Sequence, residues 1–375
     1  MGDKNATVKK SIFALNNSKK LRINILLIVA HSMENSLHRI LVRTPNWLGD
    51  AVMSSGFFHA AASCLSGTAI DALTPAPLQS LFNLMPSVSR CIPFNRPELR
   101  NPAGLLKFIR GIRNSGRYDA YFCLPDSFSS ALTGFLTRTP KRIGYQGQCR
   151  SPLFTHSLSK PTNRHRVEEY TMLLRVLDCE NAVEPRVFLD TSRLENKNLP
   201  SHLLDDAPLI IYNGNSEARS RRIPEEKSRD VVSMLLTAFP SARIVLTGTL
   251  ADTAYNQRIQ SEKNLARISD FSGKTSLPAL CALVCRATVV VSTDSGLAHL
   301  ANAMDVPTVV VFGAGDDVNT APYNASHRKI IRAMSTACSR CVSNTCRYGR
   351  PRCLEELDPG CISQAIHELC PSLSP

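Results

Sequence analysis

Residues Val289–His299 read VVVSTDSGLAH, a β-branched run that breaks at Thr293-Asp294-Ser295-Gly296 and passes into helix formers from Leu297 to Met304. A buried strand feeding a turn and a helix start presents unpaired N–H groups at the positive end of a helix dipole, which suits a phosphate. Ser295 is placed to cap that helix, and Gly296 lets a ligand approach the backbone. His299 falls one turn further on, on the side of Ser295. An ordinary strand-to-helix turn has the same sequence, so this segment alone leaves phosphate binding and simple capping open. A second junction lies near the other end. Arg39–Arg43 (RILVR) reads as a short buried strand, Thr44–Asp50 (TPNWLGD) as a loop, and Ala51–Ala62 as a helix. Val52, Met53, Phe57, Ala60 and Ala61 supply its apolar spacing. Asp50 therefore stands on the carboxyl side of a strand, where open α/β sheets bind ligands. A carboxylate there serves either as a helix cap or as a catalytic base.

The elements around these junctions alternate. Strands are predicted at 39–43, 69–73, 119–124 and 141–144, with helices at 52–64, 78–84, 105–115 and 167–177. Residues 184–208 are polar, aperiodic and contain Pro185, Pro200 and Pro208, the composition of a linker. Beyond it, strands at 208–212, 243–247, 289–292 and 308–312 alternate with helices at 225–239, 251–262 and 277–285. Such alternation implies parallel sheets with right-handed crossovers, here as two Rossmann-like domains facing a cleft. The expected boundaries are 39–186 and 187–375. Residues 1–38 read as a disordered or spurious extension, with Met33 as an alternative start, in preference to a targeting signal of basic residues before Ile23–Ala30. No G-x-G-x-x-G fingerprint follows a strand, which argues against a dinucleotide oxidoreductase.

With 375 residues the chain is long enough for two domains, and 44 Lys and Arg against 31 Asp and Glu give a formal charge of +13. That charge favours anionic partners: nucleotides, acidic membrane surfaces or nucleic acid. The basic residues are dispersed and no nucleic-acid-binding signature accompanies them, so nucleic acid is not an expected partner. The apolar run Ile23–Ala30 is too short to cross a bilayer and is interrupted by Asn24. Thirteen cysteines, an odd number scattered through an α/β chain, argue against a disulfide framework. Cys64, Cys91, Cys123, Cys149, Cys179, Cys281 and Cys285 read as isolated, mostly buried thiols. Cys338, Cys341, Cys346 and Cys353 are dense enough for a zinc or iron–sulfur site, but their spacing matches neither a zinc ribbon nor a ferredoxin.

Taken together, these segments resemble a known family. Leu41–Asp50 (LVRTPNWLGD) is similar to the first strand and loop of the ADP-heptose:lipopolysaccharide heptosyltransferases, glycosyltransferase family 9. Ser272–Leu277 (SGKTSL) and Ser292–His299 (STDSGLAH) resemble the donor-site region, and Cys338–Cys353 resembles the tail of the heptosyltransferase II branch. The likeness runs in order from about Arg39 to Ile366. It implies a GT-B fold and an inverting transfer of heptose from ADP-L-glycero-β-D-manno-heptose to the lipopolysaccharide inner core, onto a Kdo–lipid A acceptor already carrying the first heptose. It implies no cofactor and no metal, and a cytoplasmic location, peripheral on the inner membrane. Asp50 takes the position of the family's general base. Arg221, Asp294, Ser295, Gly296 and His299 match donor-binding positions, and Asn46 and Trp47 match the acceptor side, where Arg43 and Arg142 are further candidates. The chain departs from the pattern in its basic loop, where Arg221 replaces a Lys and Ile223 a Trp, and at Gly313-Ala314-Gly315. These departures leave open another ADP-sugar, or a non-catalytic nucleotide- or glycan-binding homologue. Asp316-Asp317 reads as a solvated or capping pair.

Overall fold

The computed structural model describes residues 37–179, 184–194, 199–260, 266–333 and 340–373. The chain divides into two units, Met1–His38 and Arg39–Pro375. The expected extension at 1–38 lies outside the described residues except for Leu37 and His38. All that follows concerns the second unit.

Two six-stranded, wholly parallel sheets form it. The first holds β1 (Arg39–Arg43), β2 (Ala69–Pro75), β3 (Arg90–Phe94), β4 (Ala120–Cys123), β5 (Lys141–Tyr145) and β6 (His156–Leu158), in the order β3-β2-β1-β4-β5-β6. The second holds β7 (Leu209–Asn213), β8 (Arg243–Leu246), β9 (Ile268–Asp270), β10 (Val289–Thr293), β11 (Thr308–Phe312) and β12 (Arg328–Arg332), in the order β12-β11-β10-β7-β8-β9. Numbered within its own half, the second sheet has the same order as the first, the doubly wound order whose direction reverses between its first and fourth strands. Ile40, Leu41 and Val42 of β1 and Val289, Val290 and Val291 of β10 are fully buried, as strands covered by helices on both faces must be. β3, β6, β9 and β12, all unpredicted, are the four edge strands.

Six helices matter for the site. α1 (Leu48–Met53) and α2 (Ser55–Cys64) follow β1, and α3 (Arg166–Met172) closes the first half. α4 (Glu225–Ala238), α5 (Gly296–Ala303) and α6 (Pro359–Leu369) belong to the second. The described part of segment 184–208 is less loose than its composition suggests. Val187 and Leu189 are buried, Leu189 N donates to Ala303 O at 2.9 Å, and Asp190 N donates to Leu84 O at 2.8 Å, so the crossing strap is tied to both halves.

The expectation of isolated thiols needs one correction. Cys64, at the end of α2, and Cys179, 115 residues later, form a disulfide with Cα atoms 6.0 Å apart. The tertiary packing that brings the end of α2 to the end of the first half is invisible in a cysteine count. Cys123 and Cys281 are buried as expected, whereas Cys149 and Cys285 are exposed. Cys338 lies outside the described residues, and among those described no group of three or more His, Cys, Asp or Glu side chains could hold a metal ion.

Candidate active site

The carboxyl ends of β1 and β10 meet through the helices that follow them. A Cβ added at Gly49 in α1 would lie 2.9 Å from Cδ2 of His299 in α5, and one at Gly296 in α5 would lie 2.9 Å from Cβ of Leu48 in α1. Each helix thus offers the other a glycine, and the two backbones approach closely. Elsewhere the halves are joined by Arg166 N donating to Asn319 O at 2.8 Å, and by the His165 ring against Ala321 O, also at 2.8 Å.

The α1 helix starts earlier than the apolar spacing predicts, at Leu48, so Asp50 is its third residue and not its cap. The carboxylate sits among groups from α3. The Tyr170 hydroxyl donates to Asp50 Oδ1 at 3.5 Å, and Arg166 Nε lies 3.9 Å from the same oxygen. Arg166 Nη1 is also held by Glu169 at 2.7 Å, and Lys160 spans Asp126 at 2.6 Å and Glu169 at 3.5 Å. Burial raises the Asp50 carboxyl above its ordinary range, while Arg166 and the Tyr170 hydrogen bond draw it back. None of these neighbours was singled out from the sequence. The available signal was the i, i+3, i+4 spacing of Arg166, Glu169 and Tyr170, which puts them on one helical face.

Across the contact, Ser295 precedes α5 in extended conformation without capping it. Its hydroxyl turns inward, 2.9 Å from Ser292 Oγ, and accepts from Asn213 Nδ2 at 3.1 Å. The expected cap is therefore spent on holding β7 to β10, and among the described residues no side-chain cap is bonded to the start of α5. Arg221 reaches the same turn, with Nη1 3.1 Å from Asp294 Oδ2. Burial pushes the Asp294 carboxyl up to about 6; Arg221 opposes this, and the charges of Asp50 and Asp316 add to it. Gly315, with φ +121°, packs here too, for a Cβ would stand 2.6 Å from Asp294 Oδ2. His299 is buried, and its Nδ1 has no hydrogen-bond partner among the described residues. Burial pushes its imidazole down to about 3, helped by His165, Arg328 and Arg221, so it is uncharged at neutral pH. It supplies packing against Gly49 and a neutral ring nitrogen, not a cation for phosphate.

The remaining positions sort themselves. Asn46 accepts from Arg43 Nη2 at 2.7 Å, and Trp47 is 57% exposed beside the Arg96 guanidinium. Arg43 is buried over the Phe94 ring and so is closed to a ligand, while Arg142 is half-buried and engaged by the carbonyls of Leu153 and Thr139. Ile223 is fully buried in the core under α4, which explains why an aliphatic residue stands there. Asp316 caps its own turn, accepting from Val318 N and Asn319 N at 3.2 Å each, and Asp317 pairs with Arg332 and Arg340. Just beyond the ends of β7 and β8, Asn215 Oδ1 and Thr247 Oγ1 are buried without hydrogen-bond partners among the described residues. Neither carries a local sequence signal that marks it as a site residue.

A carboxylate on one lip, and uncapped N–H groups with an arginine on the other, is an arrangement for group transfer from a phosphorylated leaving group. Comparison with known proteins agrees. Lipopolysaccharide heptosyltransferase 2 of Salmonella typhimurium is 26% identical over 345 residues, spanning 88% of this chain and 98% of that protein. Lipooligosaccharide heptosyltransferase 2 of Campylobacter jejuni serotype O:6 is 22% identical, with 88% and 99% covered. The structure of E. coli ADP-heptose lps heptosyltransferase II superimposes with a TM-score of 0.74 at 23% identity, over 89% of this chain and 99% of that one. E. coli heptosyltransferase WaaC with ADP gives 0.68 at 20%, over 88% and 99%. The fold is thus the GT-B arrangement of those enzymes. The model of glycosyltransferase family 9 (heptosyltransferase) matches residues 105–351, and the chain belongs to that family.

Proposed function

We propose that this protein transfers heptose from ADP-L-glycero-β-D-manno-heptose to the first heptose of the lipopolysaccharide inner core, with inversion and without a metal. The acceptor hydroxyl attacks the anomeric carbon as Asp50 takes its proton. The bond from that carbon to the diphosphate oxygen breaks on the opposite side, and ADP leaves with the electron pair. The observation that carries this reading is the paired contact of Gly49 with His299 and of Gly296 with Leu48, which supports a base at Asp50 and a leaving-group site at the β10–α5 turn sharing one cleft. The raised Asp50 carboxyl is a stronger base than a free aspartate, and Arg166 and Tyr170 favour its ionised form.

In this reading the first N–H groups of α5 and Arg221 hold the diphosphate, Asp294 orients Arg221, and Asn215 and Thr247 offer their unpartnered atoms to the rest of the donor. His299 keeps α1 and Asp50 in register. Asn46 and Trp47 face the acceptor from the first half, residues 39–186, while the donor is held by the second, 187–375. The enzyme works at the inner face of the inner membrane. The burial of Ile223 favours retention of the ADP-sugar, because the departure there faces the core and not the cleft. The test is incubation with ADP-heptose and a Kdo–lipid A acceptor bearing one heptose, in EDTA, following acceptor mass and ADP release. A heptose-sized gain that Asp50→Ala abolishes supports the assignment; ADP-heptose binding without transfer points to another acceptor or to a non-catalytic homologue.

A further inference from the structure

From Arg96 to Arg117 the first half carries Arg96, Arg100, Lys107, Arg110, Arg113 and Arg117, all exposed, against the single acid Glu98. None of these cations has a carboxylate partner among the described residues, whereas surface cations elsewhere do, as in Arg258–Glu225, Arg243–Asp205 and Lys329–Glu368. The helix Pro102–Asn114 buries Ile109 and Ile112. On an exposed flank beside that buried face, at about 100° per residue, Leu106, Arg110 and Arg113 fall within about 60° of one another. Leu106 is 49% exposed there, an apolar side chain among cations. The patch is continuous with the site, because the Arg96 guanidinium lies 5.9 Å from the ring of Trp47, three residues before Asp50.

We propose that this face docks on an anionic lipid bilayer. Unpaired cations are drawn to the negative surface potential of acidic lipids, and their effect extends about a Debye length. Leu106 and Trp47 supply what a purely electrostatic patch lacks: apolar groups able to enter the headgroup layer, where a tryptophan is at home. A nucleic acid would use the charge but not the exposed Leu106. Docking by this face brings the loop that leads into the helix of Asp50 to the lipid surface, where a lipid-anchored acceptor sugar stands. That last consequence rests on the lipopolysaccharide reading; the docking itself does not.

The test is flotation of the full chain with vesicles of phosphatidylcholine alone or with about one-third phosphatidylglycerol. Binding is expected only to the anionic vesicles and should disappear in high salt. Each cation near such a surface is worth about fivefold in partition, so K107E/R110E/R113E should lower it by at least about a hundredfold. The triple variant should keep its circular dichroism and its transfer to a detergent-dispersed acceptor. Equal binding of variant and parent, equal binding to neutral vesicles, or a preference for duplex DNA over vesicles would overturn the proposal. If neither protein transfers heptose while vesicle binding still depends on the three cations, the lipopolysaccharide reading fails and the docking surface stands.

Discussion

Replacing Asp294 by Asn should stabilise the protein while impairing it. The carboxyl is 5% exposed at the residue level, faces Arg221, and is pushed from 3.8 to about 6 by burial. The native state therefore holds a proton that the unfolded chain releases between those two values. Wild-type stability falls as pH rises through this window, and the cost of the buried charge is fully present above it. About two pH units correspond to about 3 kcal/mol. Asparagine keeps the shape, can accept from Arg221 and bears no charge. Urea unfolding of both proteins between pH 4 and 8 should give a difference in their free energies that is near zero at the acid end, grows by about half before pH 5, and levels off near 3 kcal/mol above pH 7. Every other titrating group is common to both chains and cancels to first order. A difference that is flat with pH, or a variant less stable than wild type at pH 7.5, would refute the claim that Asp294 is held against its solvation. Transfer should drop in the same variant, since the charge that orients Arg221 is gone.

Other outcomes follow from the same geometry. ADP binding near pH 6.5 should take up protons, because an anion beside Asp294 raises its carboxyl further; calorimetry in buffers of different ionisation enthalpy measures the uptake, and Asp294→Asn should remove it. Turnover should climb with pH as Asp50 ionises, starting from a carboxyl above the ordinary aspartate range, and Tyr170→Phe should move that limb upward by removing a hydrogen bond to the ionised form. Arg221→Ala should raise KM for the donor about 10- to 100-fold, the worth of a charged hydrogen bond, with a smaller change in the acceptor constant. Gly296→Val should cost about 1–3 kcal/mol of stability by forcing Leu48 aside, and lower kcat with it; unchanged unfolding would show that the helices have room to spare.

How much of this was written in the chain depends on what a residue faces. β1, β10 and β11 are central, buried on both sides, and their unbroken aliphatic runs announce them. The four edge strands do not: Arg90–Phe94 contains Pro93, His156–Leu158 and Ile268–Asp270 have three residues each, and Arg328–Arg332 is only partly buried along its length. Asp50 and the Thr293–Gly296 turn were legible because strand-to-helix junctions carry local signals. Their neighbours were not, because Tyr170 meets Asp50 across 120 residues and Cys64 meets Cys179 across 115. The turned-in Ser295 is a similar case. A good capping residue in a capping position is claimed by Asn213, a partner no local pattern contains.

The reciprocal glycines of α1 and α5 act as an interlock. Neither backbone can slide along the other without driving Gly49 into His299 or Gly296 into Leu48. The spacing of Asp50 from the β10–α5 turn thus depends on the same fit, and so on the absence of two β-carbons.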